Sequence, residues 1–153
     1  MEYGNGTSAP GTAIEQYFNE LIKMGLLTQV IVSDTRGDTT VACLGSVEHE
    51  EVVGSSSEEA YGVCDNVMES NVAISGARCF QNMDQLDLGL PSYISFQYYD
   101  NVVVQTLDGC CMLTLIGCRS QGHFVGGLLS LLDQIRSCEV YRELLAKTQA
   151  CYR

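Results

Sequence analysis

The first regular alternation of apolar and polar side chains lies between residues 13 and 25. Its apolar side chains recur at intervals of three and four residues: Ile14, Tyr17, Phe18, Leu21 and Ile22. This spacing places them on one face of an α-helix, with charged and amide side chains on the opposite face. The pattern predicts an amphipathic helix that ends near Gly25, because glycine readily adopts the left-handed conformation that closes a helix.

Two short apolar segments follow, residues 26–34 and 39–44, and both are rich in the β-branched side chains that are typical of strands. Gly37, in the short turn between them, can supply the positive φ that a tight hairpin requires. The turn also contains the tripeptide Arg36-Gly37-Asp38, which can act as an adhesion ligand on secreted proteins. We interpret the tripeptide as turn chemistry, because nothing in the sequence indicates secretion.

A polar segment, residues 46–57, precedes a second helical pattern. Ser55 and Ser56 stand three residues before Glu58 and Glu59, which is the spacing of a capping box at a helix start. We therefore predict a helix over residues 58–83. Small side chains along it would allow a partner helix to approach closely: Gly62, Ala73, Ser75, Gly76 and Ala77.

After a loop at residues 84–91, the sequence predicts three strands, over residues 92–99, 102–107 and 110–118. The third strand is apolar on both faces, which is typical of the interior of a sheet covered on both sides. One long helix is predicted over residues 124–151. Its inner stripe is Leu128, Leu132, Ile135, Cys138 and Leu145.

This order of elements predicts an α+β fold, with a five-stranded antiparallel sheet and helices on both faces, in the order α-β-β-α-β-β-β-α. The sheet is antiparallel because short turns join the strands that follow one another. We assign residues 13–153 to a single domain, and the polar, Gly-rich residues 1–12 to a flexible arm.

The composition narrows the range of functions. The formal net charge is -11, which disfavours binding to nucleic acid and direct binding to anionic lipid. There is no apolar run of the length of about 18 residues that a membrane span requires, and no signal-like N-terminus. We therefore expect a cytoplasmic protein without direct membrane insertion. The eight cysteines lie largely in apolar segments, where we expect reduced thiols that pack as small hydrophobes.

The candidate catalytic and metal-binding groups are few. Cys110, Cys111, Cys118 and His123 could form a metal site or a Cys/His nucleophile, so a thiol or metal-dependent enzyme is an alternative interpretation. Neighbouring residues of a strand point to opposite faces, however, so Cys110 and Cys111 are not expected to bind one ion together. The sequence therefore predicts no catalytic residue, no metal ligand and no cofactor.

Three stretches resemble a known family. They are GLLTQVIVSD at residues 25–34, QLDLGLPSYISFQYYDNVVVQ at residues 85–105 and GGLLSLLD at residues 126–133. Together with the element order, they resemble the roadblock/LC7 family of small dimeric α+β domains, and within it the MEK-partner scaffold of the Ragulator (LAMTOR) complex. The resemblance covers roughly residues 13–145.

The resemblance implies a non-catalytic scaffold or adaptor. It implies a second roadblock-domain subunit as partner in a heterodimer, other Ragulator subunits, Rag GTPases in amino-acid signalling to the TOR kinase, and the MAP-kinase components MEK and ERK. A partner would recruit the protein to the late endosome or lysosome. The alternative within the family is a dynein light-chain-like subunit or a regulator of a small GTPase.

The dimer surface is expected on the strand at residues 92–99 and the helix at residues 58–83. In roadblock-like domains the matching strand lies at the border of the sheet, where unpaired backbone groups can template a strand of another chain. The candidate partner-binding residues are Tyr61, Cys64, Met68, Val72, Ser92, Tyr93, Ile94, Ser95, Phe96 and Tyr98.

Overall fold

The computed structural model of the chain describes residues 12–44 and 57–151, with the side chains of residues 12–44 and 71–151. The elements, in chain order, are α1 (Ala13–Lys23), β1 (Gln29–Asp34), β2 (Thr39–Leu44), α2 (Ser57–Asp84), β3 (Ile94–Gln97), β4 (Asn101–Asp108), β5 (Cys111–Cys118), α3 (Val125–Ser137) and α4 (Glu139–Cys151). A short 3₁₀ turn, Arg119–Gln121, connects β5 to α3.

The five strands form one antiparallel sheet in the order β2-β1-β5-β4-β3. The most apolar strand, β5, lies at the centre, between β1 and β4. The strands β2 and β3 each have one neighbour and form the two edges of the sheet. The predicted fold class is confirmed in strand number, strand direction and element order.

Helices cover both faces of the sheet. One face packs against α1, α3 and α4, and its core contains Phe18, Val32, Leu113, Ile135 and Tyr141. The other face packs against α2 in two smaller clusters, one around Phe80 and Met112 and one around Ile31, Val103 and Ile116. Both faces of the central strands are therefore buried, which explains why β5 has no polar side.

The residues at the two ends of α1 explain where this helix begins and why β1 begins later than predicted. Thr12 caps the helix, because its side chain accepts a hydrogen bond from Glu15 N–H while the Glu15 carboxylate accepts one from Thr12 N–H. Thr12, assigned to the arm from sequence, is thus part of the helix cap; residues 1–11 lie outside the described residues. At the other end Gly25 has a φ of 78°, and Leu26 N–H donates to Leu21 C=O. Leu26 belongs to this closing turn, so the strand that was predicted from residue 26 begins at Gln29 instead.

The predicted long C-terminal helix is wrong in one respect: it is two helices. Cys138 has extended backbone angles, with φ -77° and ψ 135°, and separates α3 from α4. The side chains of α3 pack on the sheet, whereas α4 also has to pack against α1. A straight helix cannot follow both directions, and the break allows Tyr141 to turn into the core.

Candidate partner-binding surface

Among the described strands, β4 alone pairs with β3, so the other side of β3 presents an open hydrogen-bonding edge. Tyr98 N–H donates to Asn101 C=O at 2.8 Å, which makes these two residues a hydrogen-bonded pair of the β3–β4 ladder. Because such pairs alternate along an antiparallel ladder, Phe96 and Ile94 also bond to β4. The N–H and C=O groups of Ser95 and Gln97 consequently point away from the sheet.

The side chains of β3 form an apolar row beside α2. Ile94 packs against the Phe80–Met112 cluster, and Phe96 packs against the Ile31–Val103–Ile116 cluster; both are half-buried. The ring of Tyr98 stacks on Phe96, with ring centroids 6.5 Å apart, and Tyr98 itself is exposed. The row carries no charged residue until Asp100.

A chain of polar contacts fixes the entry to β3. Thr106 Oγ1 donates to Ser92 C=O at 2.9 Å, which holds Ser92 outside the regular ladder. The strand predicted over residues 92–99 is observed only over Ile94–Gln97, and Tyr98 follows it directly, with its N–H hydrogen-bonded to Asn101 C=O at the start of the β3–β4 turn. Arg136 of α3 donates in turn to Thr106 Oγ1 and to the Asp108 carboxylate.

The same network of polar contacts extends to α4 through Tyr141. The Tyr141 hydroxyl donates to Asp108 Oδ2 at 2.8 Å. Burial raises the pKa of Tyr141 strongly, and the charge of Asp108 and the hydrogen bond to it raise that pKa further. The phenol is held neutral, so it serves as a permanent donor. The position of the edge strand is thereby tied to both C-terminal helices.

The predicted surface is only partly assembled by the described side chains. Val72 and Phe96 pack in one cluster, and Ile94, Ser95 and Phe96 lie in the edge strand, with Ser92 and Tyr93 before it and Tyr98 after it. Tyr61, Cys64 and Met68 belong to α2, but their side chains lie outside the described residues.

Three of the small residues of α2 face the chain's own sheet, whereas Ser75 is exposed and the surroundings of Gly62 lie outside the described residues. Ala73, Gly76 and Ala77 are buried, and a Cβ on Gly76 would overlap the amide of Gln105. That amide donates to Val72 C=O at 3.2 Å and to Thr114 Oγ1 at 3.1 Å. The close approach that these small residues permit is thus an approach of α2 to β4.

Sequence reasoning missed an exposed apolar loop directly before β3. Leu86, Leu88 and Leu90 point outward from the segment that joins α2 to β3. The signal is the alternating Leu-x-Leu-x-Leu pattern at residues 86–90, a segment that we interpret from the sequence as a loop and as part of the family resemblance but not as an exposed surface.

His123 has a structural role in this fold. Its Nδ1 accepts a hydrogen bond from Cys118 N–H at 2.9 Å, so its Nε2 must carry the proton and donate to Gly25 C=O at 2.8 Å. Both ring nitrogens are occupied by backbone groups, and the side chain is buried. This arrangement leaves no ring nitrogen free to act as a base.

The prediction that Cys110 and Cys111 lie on opposite faces of one strand is wrong. Cys110 lies in the β4–β5 turn, one residue before β5 begins, and packs against the same core cluster as Cys111. Burial raises the pKa of the Cys111 thiol, which disfavours the reactive thiolate. Within the described ranges, no group of three or more His, Cys, Asp or Glu side chains could hold a metal ion.

Known proteins resemble the chain in structure. No family model and no curated protein sequence matches it. Among solved structures, Myxococcus xanthus MglB matches with a TM-score of 0.60 and 13% identity, covering 91% of this chain and 97% of MglB. The gliding protein MglB from Thermus thermophilus matches with a TM-score of 0.56 and 12% identity, covering 90% and 94%. An MglB with a tetrameric arrangement gives a TM-score of 0.55 and 12% identity, covering 86% and 90%.

The match to Myxococcus xanthus MglB covers nearly the whole of both chains. The likeness therefore extends over most of the observed elements, which are one helix, a hairpin, a helix, three strands and the C-terminal helices. The chain has a roadblock/LC7-like fold. At this level of identity the likeness concerns the fold alone. In the part of the chain that the structure describes, none of the helices of this roadblock/LC7-like domain has the length and apolar character needed to cross a bilayer.

Proposed function

We propose that the protein is a non-catalytic adaptor that pairs with a second roadblock-type subunit, and that the pair binds a small GTPase. The observation that carries the proposal is the open edge of β3, where the backbone groups of Ser95 and Gln97 point outward. An edge strand in this state can be extended by a strand of another chain.

The surroundings of the edge suit such pairing. Proteins that keep an edge unpaired protect it with Lys, Pro or a bulge, and the strand Ile94–Gln97 has none of these. The half-buried side chains of Ile94 and Phe96 would be covered when a partner's sheet continues this one. A standard interface buries roughly 1,600 Å² in total, which needs both the strand and the adjacent surface of α2.

In its finer form, the proposal assigns the protein to a Ragulator-like complex. The support is the sequence resemblance at residues 85–105 and 126–133, which contain β3 and the first turns of α3. The partners would be other Ragulator subunits and Rag GTPases, with MEK or ERK as further clients. A partner would recruit the adaptor to the late endosome or lysosome in support of TOR and MAP-kinase signalling.

A second candidate is a regulator of a bacterial-type small GTPase, and the fold likeness to MglB favours it. The assembly of one MglB into a tetrameric arrangement supports multimer formation by this fold. Purification of the tagged protein from its own cells, with mass spectrometry of the bound proteins, separates the candidates. Rag GTPases favour the Ragulator-like assignment, a GTPase of the bacterial type favours the regulator, and a dynein intermediate chain favours a light-chain-like subunit.

Ser95→Pro tests the pairing surface. The N–H of Ser95 points away from β4, so proline at this position removes an outward donor and leaves the β3–β4 hydrogen bonds in place. We expect the affinity for the co-purified subunit to fall at least about tenfold, which corresponds to about 1.4 kcal/mol, while the melting temperature stays close to that of the wild type.

Ser95→Ala is the matched control, because it keeps the N–H and removes only an exposed hydroxyl. It should bind the partner as tightly as the wild type in a calorimetric titration. A folded Ser95→Pro variant with unchanged affinity would show that pairing does not use the β3 edge.

A further inference from the structure

Three leucines lie in solvent on the loop between α2 and β3. Leu86, Leu88 and Leu90 keep 58%, 84% and 56% of their surface exposed. A single exposed leucine is ordinary, but a contiguous exposed apolar patch usually marks a binding surface. The three side chains, together with Met83, Gly89 and Pro91, line a groove of about 250 Å³.

The backbone of this loop holds the leucines outward. Past the end of α2, Leu86 N–H donates to Met83 C=O and Asp87 N–H donates to Asp84 C=O. Asp87 then has a φ of 60°, a conformation that costs free energy for a residue other than glycine, and Gly89 has a φ of 85°. The chain is thus folded into a defined shape that displays the leucines.

The charged residues of the segment that forms the groove have one sign. Between Arg78 and Arg119 the sequence has no lysine or arginine, and its only charged residues are Asp84, Asp87, Asp100 and Asp108. Asp84 and Asp87 are exposed beside the leucines. A ligand of this groove should therefore combine an apolar stripe with basic flanks.

We propose that the groove formed by Met83 and residues 86–91 docks an amphipathic helix of a partner protein, with lysine or arginine flanking the helix's apolar stripe. A helix suits the groove because it satisfies its own backbone groups, while the nearby N–H groups of Gln85, Leu86 and Asp87 already donate to carbonyl groups at the end of α2. A second acidic copy of the chain and an anionic membrane would both be repelled by the aspartates. The inference rests on the proposed adaptor function, and it specifies the charge and the apolar pattern of one partner protein that the adaptor would bind.

The test uses a designed probe: a fluorescent peptide of about four helical turns, made of leucine and lysine with one apolar stripe, titrated with the full chain at physiological salt. One control peptide has the same composition in an order without a stripe, and another has glutamate in place of lysine. We expect saturable one-to-one binding of the first peptide, and binding at least tenfold weaker for both controls.

Leu88→Ser should weaken binding of the first peptide at least tenfold, and Phe124→Ser should leave it unchanged. Phe124 is the control because it is likewise an exposed apolar side chain, 58% exposed against 84% for Leu88, but it lies directly before α3 and away from the groove-lining segment. Circular dichroism checks that both variants are folded. The proposal is overturned if the peptide does not bind, if either control peptide binds as well, or if Phe124→Ser weakens binding and Leu88→Ser does not.

Two further measurements exclude the other occupants. Loss of a wild-type dimer in Leu88→Ser by sedimentation velocity would assign the groove to a second copy. Binding of anionic vesicles that depends on Leu88 would assign it to a membrane, and either result overturns the proposal. Subunit pairing is tested separately: we expect Ser95→Pro to keep peptide binding and Leu88→Ser to keep pairing. If the chain pairs with its partner subunit but does not bind the peptide, only the groove proposal is wrong. If it binds the peptide but does not pair, only the pairing proposal is wrong.

Discussion

Asp34 and Gly37 together account for the turn that contains Arg36-Gly37-Asp38. The Asp34 carboxylate accepts hydrogen bonds from the N–H groups of Arg36 and Asp38, both at 2.9 Å. Gly37 is buried and has a φ of 99°. Its backbone lies so close to α2 that an added Cβ would be 2.8 Å from Ile74 Cα. The tripeptide is therefore part of the contact between the first hairpin and α2.

Gly37→Ala should destabilise the protein more than Gly25→Ala does. Both glycines have positive φ, with 99° at Gly37 and 78° at Gly25, so each substitution costs about 1 kcal/mol or more of backbone strain. Only at Gly37 does the new methyl group meet the backbone of Ile74; around Gly25 the space is open. We expect urea denaturation to give a loss for Gly37→Ala that is larger by about 1–3 kcal/mol. Equal losses would mean that the hairpin does not pack on α2 at this point.

Asp34→Asn should destabilise the protein in a manner that depends on pH. Burial raises the pKa of Asp34, but the hydrogen bonds from the Asp38 and Arg36 backbone and the charge of Arg36 outweigh it, so the net pKa is lowered. A lowered carboxyl pKa stabilises the folded state above the pKa of the unfolded chain, and this contribution is lost as the pH falls through the folded value. We expect a loss of about 1 kcal/mol at pH 7 that shrinks below about pH 4.

Asp38→Asn is the control for that measurement. Its carboxylate is exposed and lies 3.7 Å from an exposed Arg36 guanidinium, a surface pair of little net value. Urea denaturation between pH 3 and pH 7 should show almost no effect at any pH. A difference between Asp34→Asn and the wild type that stays constant across this range would contradict the assigned role of the Asp34 charge.

At the scale of single residues, the sequence could show the types of group but not their contacts. His123 stood out as a possible ligand or base, whereas its partners are two backbone groups far apart in the chain, Cys118 N–H and Gly25 C=O. For Cys110 and Cys111, the predicted strand begins one residue before the observed β5, so the sequence places the two side chains on opposite faces. The contacts of His123 depend on distances that only the tertiary fold defines, and the placement of Cys110 depends on the residue at which β5 begins.

At the scale of elements, most boundaries follow from local patterns, and the exceptions have tertiary causes. The strand β2 matches its prediction, because turn chemistry on one side and the change to polar residues on the other define it. The C-terminal break was not predictable from periodicity, since Cys138 and Leu145 continue the apolar stripe of α3. The helix breaks there because α1 and the sheet require two different packing directions.

The contact between α2 and the sheet depends on the absence of a side chain at Gly76. In an exposed helix, Gly76→Ala would stabilise by about 1 kcal/mol through helix propensity. Here the new methyl group would displace the Gln105 amide from Val72 C=O and Thr114 Oγ1. Because breaking buried hydrogen bonds costs about 1–3 kcal/mol, we expect a net loss by thermal or urea unfolding.

The double variant Gly76→Ala with Gln105→Ala isolates this contact. Once the long amide is absent, the alanine at position 76 should cost nothing or stabilise by up to about 1 kcal/mol. If Gly76→Ala is equally unfavourable in both backgrounds, the two residues are not coupled and α2 does not approach β4 as described.

At the scale of the whole molecule, the sequence predicted the layout of layers but only part of the surface. Two-sided apolar strands require helices on both faces, so the arrangement around β5 could be inferred. The open edge at Ser95 and Gln97 depends on strand order and ladder register, which short-range patterns do not determine. The pattern of leucines at residues 86–90 does not by itself distinguish exposed from buried side chains. Only their exposure in the folded chain shows that these leucines do not belong to the core.

The net charge of the chain leads to a prediction about pairing between two copies of it. Two copies that joined through β3 would bring together two chains with a formal charge of -11 each. Their repulsion extends over about 10 Å at 0.1 M salt and about 3 Å at 1 M salt. We expect the isolated chain to be monomeric at low salt in sedimentation velocity, and to self-associate weakly as the salt concentration rises. Ser95→Pro should remove the salt-induced dimer and Ser95→Ala should keep it. A tight dimer at low salt would contradict the expectation that the partner in the pair is a different subunit.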